Sequence, residues 1–148
     1  MITTSLFKKT SIRRDQKGSA MLELAIGMPV LFLFLFGTAD LGRLFYFSIE
    51  VANAAAAGAN YGSFHTSNMT DTNGIANAAT NEAPEVPNLQ VISSQVCQNS
   101  SGNVVSCTTG GAYKYVSVTA SYTFQTFFNY PFIPSSVALS KTVMMRGA

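Results

Sequence analysis

Charge is scarce in this chain. Only 11% of its 148 residues are charged, against roughly 25% in an ordinary soluble domain. That shortfall points to a membrane segment, or to a protein that spends its life packed against copies of itself. Histidine is confined to His65 and cysteine to Cys97 and Cys107. With one histidine there is no Ser/His/Asp or Cys/His constellation once the cysteines pair, so a catalytic centre has no support. The same shortage leaves the cysteines without the further ligands that a zinc site needs. The acids Asp71, Glu82 and Glu85 lie scattered in a polar stretch, where carboxylates are ordinarily solvated. No catalytic residue, metal or cofactor is expected, and the length leaves room for one modest domain.

The few charges present are unevenly placed. Lys8, Lys9, Arg13, Arg14 and Lys17 precede position 18, opposed there only by Asp15. From Ser19 onward the acids outnumber the bases. A basic leader of this kind could bind nucleic acid, but directly before an apolar run it reads as a topological signal. Lys and Arg beside a membrane span stay on the cytoplasmic side. Nucleic acid is therefore not an expected partner.

The apolar run is SAMLELAIGMPVLFLFLFGTA, from Ser19 to Ala39, and Glu23 is its one charge. About 20 helical residues cross the roughly 30 Å hydrocarbon core, so a transmembrane helix over about 20–39 is expected. Leu31 to Phe36 offer no polar face and would be untenable on a soluble helix. A cleaved secretory signal is the alternative, but the stretch exceeds an ordinary apolar signal core and no clear A-x-A site follows. Pro29 removes one backbone bond and should kink the helix near Leu24 and Ala25. The helix-compatible pattern continues to about Ser63. Asp40 and Arg43, at i and i+3, can form a membrane-proximal ion pair. Beyond them an Ala-rich stretch with Gly58 and Gly62 allows close approach of another backbone.

After a polar segment ending at Pro84 and Pro87, which has room for a short helix over 73–81 capped by Asp71 or Thr72, the period changes to two. Val116, Val118, Ala120, Tyr122 and Phe124 form the clearest strand face, opposed by Ser and Thr. Residues 90–97, 104–107 and 137–145 supply further strands, with Lys141 interrupting the last in the manner of an edge strand. The fold class expected is α+β: the long helix over 19–63 packed on a small antiparallel sheet of three or four strands, with 64–148 as the extramembrane domain. Cys97 and Cys107 flank the Asn99–Asn103 turn and could meet across paired strands. A disulfide there requires an oxidising compartment.

The junction Lys17-Gly18-Ser19-Ala20-Met21-Leu22-Glu23-Leu24 resembles the processing site of type IV prepilins, with Gly before the scissile bond and Glu at the fifth mature position. More narrowly, residues 13–62 resemble the TadE-like family of the tight-adherence (Flp) pilus system. The features carrying the likeness are Glu23-Leu24-Ala25, Pro29, the Leu/Phe run, Asp40-Leu41-Gly42-Arg43 and the Ala-rich helix through Gly62. The resemblance implies a pilin-like, non-enzymatic subunit of the inner membrane, whose leader 1–18 is removed between Gly18 and Ser19 by a prepilin peptidase. Glu23 would serve processing and assembly, pairing with the new Ser19 amine of a neighbour. The implied partners are that peptidase, other pilins, the inner-membrane assembly platform and the bilayer. A globular part of this size implies the minor, pseudopilin-like class. The other function considered is a surface adhesin, using the aromatic set Tyr113, Tyr115, Phe127, Phe128, Tyr130 and Phe132.

Overall fold

Between Gln16 and Phe64 the chain offers helix-forming Ala, Leu, Met and Glu, with one proline, and it forms a single helix, α1 (Gln16–Phe64), continuous across Pro29. The structure is a computed structural model. It describes residues 16–130 and 134–148, with side chains from Gly18 onward. The basic residues before Gly18 and the aromatic Phe132 lie outside the side chains described. The chain divides into two units, one ending at Thr38 and the other comprising Ala39–Ala148.

In the first unit every described side chain but Gly37 is exposed. An apolar helix that buries nothing has no stable place in water. By length and composition α1 is the one helix among the described residues able to cross a membrane.

From Ala39 on, the faces of α1 separate. Val51, Ala54, Ala55, Gly58, Ala59 and Gly62 are buried, at the three- and four-residue spacings that align on one helical face. Leu41, Phe45 and Ile49 are exposed. The buried face consists mainly of small residues because it lies close against other chain segments. A Cβ built on Gly62 would come within 2.9 Å of Val116 Cγ2, so glycine is what the spacing permits.

The sheet against this face has four antiparallel strands: β1 (Gln90–Gln98), β2 (Val104–Val105), β3 (Tyr113–Gln125) and β4 (Ser136–Arg146), in the order β2-β1-β3-β4. Central β3 alternates as its sequence suggests. Val116, Val118, Ala120 and Phe124 are buried, while Ser117, Thr119 and Ser121 face the other way. Ala120 lies between Val91 and Lys141 in register and joins Val51, Ala54 and Ala55 in the core. Lys141 is exposed on edge strand β4. A charge at that position discourages further strand pairing. The second helix, α2 (Thr72–Glu82), contributes Ile75 and Ala79 to the same core. Its N-cap is Asp71, whose Oδ1 accepts the Gly74 N–H at 2.9 Å, and whose Oδ2 accepts the Tyr61 hydroxyl of α1 at 2.9 Å.

One local expectation needs correction. The return strand stops at Val105 instead of reaching Cys107, and Cys97 lies opposite Val105. The chain turns immediately afterwards, with the Thr109 N–H on the Ser106 carbonyl at 3.0 Å, so Cys107 reaches Cys97 from a turn. The two form a disulfide with Cα atoms 5.1 Å apart. The intervening hairpin is closed by Asn99, whose Oδ1 accepts the N–H groups of Ser101 and Asn103 at 3.0 and 2.9 Å. Gly102 takes the positive φ of 80° that this turn requires.

Candidate functional site on the N-terminal helix

Gly18, Ser19 and Glu23 lie on the first turns of α1 and all three are exposed. Glu23 shares an open groove along the helix with Ala20, Leu24, Gly27, Met28 and Leu31, a stripe at helical spacing. A carboxylate exposed one turn into an otherwise apolar span is expensive in lipid unless something pairs with it. Around Gly18 and Gly27 an added Cβ would meet nothing within 4 Å. The chain's own packing therefore gives no reason for glycine at either position.

Within the second unit a different cluster forms around Asp40. This residue is 4% exposed, the one buried charged side chain among the described residues. Its Oδ1 accepts Arg43 Nη1 at 2.9 Å. Its Oδ2 accepts the backbone N–H of Phe127 and the hydroxyl of Tyr130, each at 3.0 Å. The Arg43 guanidinium lies 3.7 Å from the centroid of the Phe127 ring and 5.1 Å from that of Phe124, a cation–π arrangement. Burial and the hydrogen bond to Asp40 raise the Tyr130 pKa, which keeps the phenol a donor. A buried carboxylate is tolerable only when its acceptor sites are filled. Three groups donate to them, and the result is a clasp between α1 and the segment Thr126–Tyr130.

All five of these sequence-predicted residues lie on α1, but in different units. Gly18, Ser19 and Glu23 belong to the exposed apolar unit, and Asp40 and Arg43 to the folded one. The disulfide sits by the β1–β2 turn, at the opposite end of the sheet from the Asp40 clasp, since Gln98 pairs with Tyr113 and Gln125 with Ser136. Among the described residues no group of three His, Cys, Asp or Glu side chains could hold a metal ion. Sequence reasoning found the Asp40–Arg43 spacing but missed Phe127 and Tyr130 as partners. They lie 87 and 90 residues further on, beyond any local pattern.

The placement of the exposed junction, the unburied span and the small-residue face on one helix coincides with a family match: the model for TadE-like proteins covers residues 18–60. Residues 18–60 are similar to TadE-like proteins. A search of curated proteins and a search of solved structures each gave no match. The TadE-like match covers residues 18–60, less than a third of the 148-residue chain. It begins at Gly18, spans Glu23 and Asp40, and ends on the Ala-rich face that packs on the sheet.

Proposed function

We propose that the chain is a minor, pseudopilin-like subunit required for assembly of a Tad pilus, matured by cutting between Gly18 and Ser19. The observation carrying this reading is that the TadE-like match starts at Gly18, an exposed glycine that nothing in the chain's own packing explains. Glycine lets a peptidase approach the backbone closely. In this reading the basic leader is cytoplasmic, residues 20–39 cross the inner membrane, and the disulfide-bearing part faces the periplasm, where disulfides persist. Cleavage turns Ser19 into a new cationic amine. Glu23 of one subunit neutralises that amine on a neighbour as helices bundle, which removes the cost of a lone carboxylate in lipid. The peptidase and the inner-membrane assembly platform are the partners.

Co-expression with a cognate prepilin peptidase should shorten the chain by the leader through Gly18, read by intact-mass spectrometry and N-terminal sequencing. An unchanged mass overturns the reading. In the same system Glu23→Ala should leave membrane insertion intact and impair pilus assembly, and normal piliation would remove the pairing role.

A further inference from the structure

Beside its central strand the sheet has a gap. The last pair of β1 with β3 is Gln90 with Ser121, but β3 runs on to Gln125. Over Tyr122–Gln125 it pairs with β4 on one side, and among the described residues no strand lies on the other. The turn that opens the gap is at Asn88. Its φ of 55° is the one positive φ at a non-glycine residue among the described residues. A left-handed residue cannot continue a strand, and Pro87 before it has no N–H to give a ladder. The chain therefore meets β3 only from Gln90 onward. The Gln90 side-chain amide donates to the Asn88 carbonyl at 3.3 Å, which ties the turn to the start of the strand. Backbone held in such a sparsely populated conformation is a feature that clusters at ligand sites.

The gap forms an open notch of about 260 Å³ between the Pro87–Gln90 segment and β3. No charged side chain lines it. An anionic ligand would call for Arg or Lys, and a hard cation for carboxylates. The lining is amide and hydroxyl instead: Asn88, Gln90 and Gln125 with Ser121 and Thr123, each able both to donate and to accept. Tyr122 adds an aromatic ring, braced from behind by Phe47 with ring centroids 5.2 Å apart. A sugar answers this combination, because its hydroxyls both donate and accept while its C–H faces rest on apolar surface. A peptide strand added to the sheet edge is the other neutral occupant, but it takes its specificity from pockets for alternate side chains. The alternate positions Ser121, Thr123 and Gln125 of β3 present hydroxyls and an amide. The volume falls just under the roughly 300–1,000 Å³ of drug-sized sites, which suits one ring or the end of a longer chain. We propose that the notch between Asn88 and β3 binds a neutral saccharide. Every residue in it belongs to the Ala39–Ala148 unit, so the proposal stands apart from the membrane span and from processing at Gly18.

The test uses the full chain in a detergent without a sugar headgroup, since an alkyl glycoside would compete for the site. The probes are maltotriose, cellotriose and triacetylchitotriose, with trigalacturonate as an acidic saccharide and a blocked Val-Thr-Val-Thr peptide as a strand. Binding is followed by saturation-transfer-difference NMR titration. At least one neutral trisaccharide should bind, and more tightly than trigalacturonate or the peptide. Gln125→Ala should weaken that binding about three- to tenfold, the worth of one or two hydrogen bonds. Thr123→Lys, which places a charge in the notch, should abolish it. Val104→Lys lies on β2, which joins the sheet at the other end of β1, and should leave it unchanged. Circular dichroism confirms that each variant is folded, and Gln125→Ala, at an exposed strand end, carries the test if Thr123→Lys is not. Three results would each overturn the proposal: no neutral trisaccharide binds, the peptide or the acidic saccharide binds in its place, or binding is the same in the notch variants as in the parent.

Discussion

At Gly18, Gly27 and Gly37 an added Cβ would meet nothing within 4 Å, whereas at Gly62 it would stand 2.9 Å from Val116 Cγ2. All four glycines lie on α1. Those before Thr38 belong to a stretch that spends almost none of its surface on its own chain. Gly62 belongs to the later part of the helix, whose small face is committed to a sheet and a second helix. The contrast extends to charge: Glu23 is exposed in an apolar unit, while Asp40 is buried and fully paired. Side chains whose identity the chain's own packing explains answer to folding. Those it leaves unexplained point outside the chain, in the function proposed above to lipid, a processing enzyme or a neighbouring helix.

The sharpest way to break this comparison is at Asp40. Asp40→Ala removes a buried acceptor from the Phe127 N–H, the Tyr130 hydroxyl and Arg43, at an expected cost of about 3 kcal/mol in the stability of the Ala39–Ala148 unit. Near-UV circular dichroism melts of the detergent-solubilised chain would measure it. An unchanged melting temperature would mean that the clasp contributes nothing and that the second unit is less self-contained than the contrast requires. Next in size is the disulfide. Replacing both Cys97 and Cys107 by Ala should cost about 2–3 kcal/mol through the freed loop of the unfolded chain. Because the bridge and the clasp lie at opposite ends of the sheet, the two losses should add in the combined variant.

Gly62→Ala tests the glycine argument itself. Alanine improves helix propensity by about 1 kcal/mol, but its methyl meets a stiff, buried Val116 side chain, and overpacking costs about 1–3 kcal/mol. A net loss near 1 kcal/mol is expected. Gly27→Ala meets no neighbour and should leave the melt of the folded unit where it was. Equal effects at the two positions would erase the distinction between the halves of α1.

How much of this was open to reading in the sequence follows from the range of each interaction. The alternation Val116, Val118, Ala120, Tyr122, Phe124 opposed by Ser and Thr marks a half-buried strand through side-chain direction alone, and β3 forms there. The long apolar and then Ala-rich run marks α1 equally well, and the hairpin residues Asn99 to Asn103 place the turn between the cysteines. The end of the return strand was misplaced, because its last residues are drawn into a turn and a covalent bridge that override strand propensity. The clasp was only half legible. Arg43 is one helical turn from Asp40, but the Phe127 amide is brought there by the closing of the whole sheet on α1, and no local pattern encodes a backbone donor from 87 residues away.

The smallest expected effect is set by pH, and it concerns the join between α1 and α2. The Gly74 backbone N–H, and after it the Tyr61 hydroxyl, hold the Asp71 carboxyl below the usual carboxylate range. A carboxylate lowered by folding adds stability above its unfolded pKa, and that stability is lost as pH falls through the lowered folded value. The hydrogen bond to Asp71, followed by burial and the nearby negative charge, pushes the Tyr61 phenol up. Its contribution is complete below the ordinary tyrosine pKa and disappears as pH rises through the raised one. Thermal melts across pH should therefore fall off at both extremes, with Asp71→Asn flattening the acid limb and Tyr61→Phe the alkaline limb. Both groups lie in the Ala39–Ala148 unit, at the cap of a helix whose Ile75 and Ala79 are buried in its core. An acid limb that survives Asp71→Asn would place the responsible carboxyl elsewhere and remove the cap as the point where protons loosen α2 from α1.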